Sequence, residues 1–151
     1  MATTKPTNPK DILGSNKVPI HLWPMTATIL GTLGLLDGAS KYGRSNWRAV
    51  GIRASIYYDA IARHMSAWFE GEDIDPDSGL PHMAHVLAGA AIIVDAIAGD
   101  RFRDDRMYRG GYRALMDAVT PDVARLKEKN AEHDPRHYTI ADNEEDFDNG
   151  P

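Results

Sequence analysis

Met25, Ile29, Leu33 and Leu36 follow Pro24 at three- and four-residue steps, which places them on one face of a helix opened by a first-turn proline. The pattern predicts a helix that ends near Gly43, with Gly31 and Gly34 inside it allowing a close neighbour. A longer element is predicted over residues 47 to 70. Ile52, Ile56, Ile61, Met65 and Trp68 are its apolar positions, Asn46 its N-cap and Gly71 its stop. Pro81 opens a third helix to about Ala98, where VLAGAAIIVDAIA is apolar nearly all round and so implies burial. These last two helices form an antiparallel hairpin about the acidic loop GEDIDPDSG. After the charged connector GDRFRDDRMYRGG, the run GYRALMDAVTPDVARLKEK predicts a helix broken or restarted at Thr120 and Pro121.

The flanks read differently. Residues 1–23 lack periodicity and are rich in Thr, Pro, Asn and Lys, as in an extended arm. Residues 132–151 form a tail that closes on the acidic ADNEEDFDNGP. No repeat, convincing strand alternation or heptad seam interrupts this pattern. The expected fold is all-α: one helical domain over 24–131 with a central antiparallel helix hairpin, an extended N-terminal arm and an acidic C-terminal tail.

With 151 residues, 42% of them hydrophobic, the chain has material for one core. A net charge of -5 argues against an extended nucleic-acid binder, so any basic cluster suits a small anion. The absence of cysteine excludes disulfides, thiolate nucleophiles and Cys-ligated zinc, leaving oxygen and imidazole as metal ligands. The first residues carry no apolar signal core, and AAIIVDAIA is too short to span a bilayer, so a cytoplasmic protein without membrane contact is expected.

The candidate chemistry collects at the hairpin mouth. His64 lies about eleven residues before the turn and His85 about ten after it, which at roughly 1.5 Å per residue sets them at similar height on antiparallel helices. His82 shares a face with His85, beside Glu70, Glu72, Asp73, Asp75 and Asp77. So many carboxylates beside three imidazoles repel one another unless a cation joins them. Hard oxygen with imidazole suits Mg²⁺ or Mn²⁺, with zinc the second choice. The plainer alternative is a solvated acidic loop with core-edge histidines.

In KYGRSNWRAV, residues 41–50, Lys41, Arg44 and Arg48 stand near the N-terminus of the long predicted helix, where a phosphate is readily held. The alternative is an ordinary turn, with Gly43 and Asn46 as caps and Trp47 as an anchor. Asp59 and Arg63, four apart, read most simply as an intrahelical ion pair.

The succession KYG..NWR, then YDA..RH...W..GED.D..SGL.H..H, over roughly residues 41–85, resembles the phage dATP/dGTP diphosphohydrolases, MazZ. That family is a branch of the all-α, MazG-like helical-bundle nucleotide pyrophosphohydrolases, and LWP…LG……GASKYG is similar to its opening segment. The resemblance implies hydrolysis of purine deoxynucleoside triphosphates, dGTP and dATP, to the monophosphate and pyrophosphate with two or three Mg²⁺ or Mn²⁺ ions. In a phage, this supplies dGMP for 2-aminoadenine nucleotide synthesis in the host cytoplasm. The wider superfamily pairs ExxE on one helix with ExxD on the next. This chain has no ExxE on its second helix, and HMAH (His82 to His85) stands where ExxD is expected, while Glu70 to Asp73 spells ExxD at a helix end.

On that basis His64, Glu72, Asp75, His82 and His85 are the expected metal ligands, and Glu70 or Asp59 the proton acceptor. Lys41, Arg48 and Arg63 neutralise the leaving pyrophosphate, and Asn16, Lys17, Asn46, Trp47 and Trp23 meet the substrate. A homo-oligomer, dimer or tetramer, is expected. Two rivals stand beside this reading. One is an HD-type triphosphohydrolase, for which His133-Asp134 supplies the dipeptide; the other is a non-catalytic helical interaction protein.

Overall fold

The computed structural model describes residues 8–142 and is mostly helical, in agreement with the all-α expectation. The chain divides after Asp104 into two units.

In the first unit the expected extended arm contains a short helix, α1 (Pro9–Gly14). Asn8 caps it by accepting from Lys10 N at 3.0 Å, and Pro9 occupies the first turn. A 3₁₀ turn over Ile20–Leu22 leads to α2 (Met25–Tyr42), which stops at Gly43 with φ 88°.

The long helix expected over 47–70 is in fact two. Helix α3 (Asn46–Val50) ends at Gly51, whose φ of 78° no helix accommodates. A Cβ at Gly51 would sit 2.9 Å from Arg101 O, and Ile52 N donates to that same oxygen at 2.9 Å. The backbone therefore leaves the helix to pair β1 (Ile52–Arg53) in parallel with β2 (Phe102–Arg103), and restarts as α4 (Ala54–Phe69). Asn46 is the first helical residue, and no side chain caps α3.

Helix α5 (His82–Ala98) follows the 70–81 loop and packs against both α4 and α2, but the burial expected all round it is confined to those two faces, and Val94 and Ile97 are exposed. Small residues make these contacts. A Cβ on Gly34 of α2 would clash with Ala84 O, and one on Gly89 of α5 would meet Ile61 Cγ1 at 2.8 Å. The buried positions are accordingly small: Gly31, Gly34, Ala54, Ala84, Ala88 and Ala96, with Ile52 and His82. Among the described residues no large side chain is wholly buried, and Ile29, Leu36, Phe69 and Val94 are exposed.

The second unit contains α6 (Tyr112–Lys129), which runs unbroken through Pro121. The expected break does not occur: the helix carries Pro121 at the loss of one backbone donor, and Thr120 Oγ1 bonds back to Met116 O at 2.6 Å on the preceding turn. Nearly all of the expected acidic tail lies outside the described residues. No helix described is long and apolar enough to cross a membrane.

Candidate active site

The loop between α4 and α5 is held by its own backbone. Asp75 N donates to Leu80 O at 2.8 Å, Gly79 N to Asp75 O at 2.8 Å and His82 N to Asp73 O at 3.0 Å, and Ile74 bridges Pro81. Asp75 is turned inward by Ser78, which donates to Asp75 Oδ2 from its backbone N at 3.1 Å and its hydroxyl at 2.6 Å. This turn needs Asp and Ser three apart, and DPDS supplies them. The Ser78 bonds first, then the Asp77 amide and His85, hold the Asp75 carboxyl below its usual range against the opposing effect of burial.

Three imidazoles meet this carboxylate. His64, from the C-terminal half of α4, stacks on His85 with ring centroids 4.5 Å apart, and its Nδ1 lies 2.9 Å from His82 Nδ1. His82 is buried at the start of α5, and its Nε2 stands 2.8 Å from Glu72 Oε1. Glu72 accepts only, so His82 donates from Nε2 and presents a lone pair at Nδ1. His85 Nε2 lies 2.7 Å from Ser78 Oγ. The Ser78 hydroxyl proton is directed to Asp75, so His85 donates to Ser78. Burial, followed by the neighbouring His85, pushes His64 below its ordinary pKa and favours the neutral ring.

His64, Asp75 and His82 each offer a ligand atom, all within 4.8 Å of one another, and this group could hold a metal ion. The donor chemistry fits one. Two imidazoles and a carboxylate form a typical divalent set, and Glu72 behind His82 is the outer carboxylate that orients this ring.

A cavity of about 460 Å³ runs from this cluster into the helix packing, a size suited to a small ligand. His64, Asp75, Asp77 and His85 line one part; Lys41, Tyr42, Asn46, Trp47 and Tyr57 line another, over a floor of Ile61, Ala88 and Ile92. Burial pushes the Tyr57 phenol up, so it stays a neutral donor.

Of the residues predicted from sequence, the structure gathers His64, Asp75, His82 and His85 in one cluster, with Glu72 on its outer side. It brings Lys41, Asn46 and Trp47 to the same cavity. Two of the three connector cations are engaged by carboxylates: Lys41 Nζ with Asp37 at 2.7 Å, and Arg48 with both oxygens of Asp95 at 2.7 and 2.6 Å. Trp47 Nε1 donates to the same Asp95 at 2.6 Å. Helix α3 has five residues, so the long-helix dipole expected behind Asn46 does not begin there.

Other candidates lie elsewhere. Asp59, Arg63 and Glu70 are exposed and absent from the cavity wall, and Asp59 and Arg63 form no ion pair among the described residues. Asn16 bonds to Ile12 O in the turn after α1, Lys17 is exposed beside it, and Trp23 donates to Thr28. None of these three lines the cavity. His133 and Asp134 are exposed in irregular chain after α6.

Ser78 and Asp95 were not singled out from the sequence, and Asp77, named among the loop carboxylates, was given no role of its own. Asp95 left a readable signal, a lone carboxylate in the apolar run IIVDAIA.

Residues 7–106 match the family described as dATP/dGTP diphosphohydrolase, N-terminal. Over 90 residues the chain is 32% identical to the dATP/dGTP diphosphohydrolase of Salmonella phage PMBT28. The match covers 58% of this chain and 30% of that protein, so the chain spans less than a third of its curated relative's length. No solved structure matches the chain.

Proposed function

Because the chain belongs to the dATP/dGTP diphosphohydrolase N-terminal family, we propose that it hydrolyses a purine deoxynucleoside triphosphate between the α and β phosphates. The products are the deoxynucleoside monophosphate and pyrophosphate. The observation that supports this reading is the single cavity joining His64, Asp75 and His85 to Lys41, Asn46 and Trp47. Ligands for a divalent ion thus share one space with an indole for stacking and an amide for a base edge.

His64, Asp75 and His82 hold the ion, with Glu72 orienting His82. When bound, it supplies Lewis-acid polarisation of the phosphate oxygens and lowers the pKa of the attacking water. Two imidazoles in the set favour Mn²⁺ over Mg²⁺, whose preference is for oxygen. Asp77 lines the cavity and makes no side-chain bond among the described residues, so its carboxylate is placed to take the proton of the attacking water. Lys41 faces the negative charge that develops on the leaving pyrophosphate.

The exposed apolar side chains of α2 and α4 support a homo-oligomer, because so small a buried core leaves these faces for a second copy. Supply of dGMP to 2-aminoadenine synthesis is the role the family resemblance supports.

Incubation with dGTP, dATP and Mn²⁺ tests the activity. We expect monophosphate and pyrophosphate, abolished by chelator and restored by Mn²⁺ more fully than by Mg²⁺. Deoxynucleoside with intact tripolyphosphate would favour the HD-type alternative, and absence of any product would leave a non-catalytic helical protein.

A further inference from the structure

A second cavity, of about 480 Å³, lies where β1 meets β2, and it shares no lining residue with the cavity at the histidines. Arg53, Arg101 and Arg103 line it, with Gly51, Asp100 and Phe102. The strand register pairs Ile52 with Phe102 and Arg53 with Arg103. The two-residue period turns Ile52 inward, where it is buried, and leaves both arginines exposed on the opposite side. Like charges in directly paired strand positions destabilise a sheet, and Arg101 adds a third guanidinium at the same opening.

Among the described residues no carboxylate pairs with them. Arg48, Arg125 and Arg136 each pair with a carboxylate. Among the described residues, by contrast, Arg53, Arg101 and Arg103 make no ion pair or side-chain hydrogen bond, and neither does Asp100, the carboxylate in the wall. In a chain of net charge -5 this is a local surplus of positive charge.

The backbone beneath the arginines is fixed. Arg101 N donates to Ala96 O at 2.7 Å and its carbonyl accepts from Ile52 N at 2.9 Å. That second approach is open only because residue 51 is glycine. A planar guanidinium offers two parallel N–H groups, the geometry that grips a phosphate oxygen pair. We infer that this cavity is a binding site for a small phosphate-bearing anion, about 15 Å along α4 from His64 and separate from the proposed catalytic cluster.

The test uses the full chain in excess EDTA, which keeps divalent ions from recruiting phosphates to the histidines. Inorganic pyrophosphate is titrated and the backbone amide and arginine Nε–H resonances are followed. We expect saturable shifts at Gly51, Arg53, Arg101 and Arg103, unchanged in His82→Ala. Arg53→Gln and Arg103→Gln should each weaken binding at least tenfold, and Arg53→Lys should weaken it less.

Parallel titrations with inorganic phosphate and with a nucleoside monophosphate identify the source. Tighter binding of pyrophosphate assigns a diphosphate, and equal binding of all three assigns a single phosphoryl group. Absence of saturable shifts at these residues in the unaltered protein would overturn the site, as would unchanged affinity in both Gln variants. Because no metal is present, failure here leaves the hydrolase reading standing, and loss of hydrolysis leaves this site standing.

Discussion

The acidic loop at 70–81 and the cationic connector at 41–50 look like complementary halves of one site, yet the structure treats their charges in opposite ways. In the loop, Asp75 and Glu72 turn toward histidines, with Ser78 and backbone amides holding Asp75 in place. In the connector, Lys41 and Arg48 are already engaged by Asp37 of α2 and Asp95 of α5. A carboxylate held by a serine hydroxyl and by imidazoles keeps lone pairs for a cation. A guanidinium gripped by both oxygens of a carboxylate has spent much of its capacity for a phosphate. Unsatisfied charge, rather than charge itself, marks where a ligand fits, and by that measure the loop outranks the connector.

The largest expected effects therefore lie in the loop. Asp75→Ala and His85→Ala should each lower kcat by about 10²-fold or more, with helical circular dichroism retained, because both side chains sit at the hairpin mouth and outside the small-residue seam. Steady-state kinetics with dGTP and Mn²⁺ measure this. Normal turnover in both variants would reduce the cluster to a structural hydrogen-bond network and cancel the contrast with the connector.

Metal binding gives the next effect. Mn²⁺ at 100 times its dissociation constant should stabilise the protein by about 2.7 kcal/mol, read as a rise in melting temperature. His82→Ala should abolish that rise, whereas Arg48→Ala should preserve it. Equal responses in the two variants would place the ion somewhere other than the histidines.

The connector should announce itself through pH. Arg48 first and Trp47 second hold the Asp95 pKa down at about 2, against an ordinary 3.8. A depressed carboxylate contributes stability that is fully present above its unfolded pKa and is lost as pH falls through its folded value. Urea midpoints of the native protein should thus fall between about pH 4 and pH 2, and Asp95→Asn should flatten that part of the curve. An identical slope in the variant would show that the clasp does not form in solution.

Much of this was legible in the residues. The 3.6-residue period located α2, Pro81 with the apolar run after it located α5, and equal spacing from the hairpin turn placed His64 and His85 side by side, as their stacked rings show. The interruption at Gly51 was hidden because the sequence on either side remains helical in pattern; what breaks the helix is the carbonyl of Arg101, fifty residues away. The same distance conceals the fate of Arg48. Its partner Asp95 is one helical turn from the end of α5, and no local pattern links the two. Spacing reports what shares a helix face. It does not report what a second helix places opposite.

The smallest effect separates two roles for Arg48. If it serves as half of a clasp, Arg48 acts by fixing Asp95, which in turn orients the Trp47 indole in the cavity wall. Arg48→Ala should then lower kcat/KM by less than about tenfold, equivalent to about 1.4 kcal/mol. In this case the double variant with Asp95→Ala should be no worse than Asp95→Ala alone, because residues acting through one contact are not additive. If Arg48 instead reaches a phosphate of the substrate, removing Asp95 frees its guanidinium, and loss of Arg48 in that background should raise KM by a further large factor. The geometry favours the clasp, since three N–H groups from Trp47 and Arg48 converge on one carboxylate. A full additional loss in the double variant would move Arg48 from a support behind Trp47 into contact with the substrate.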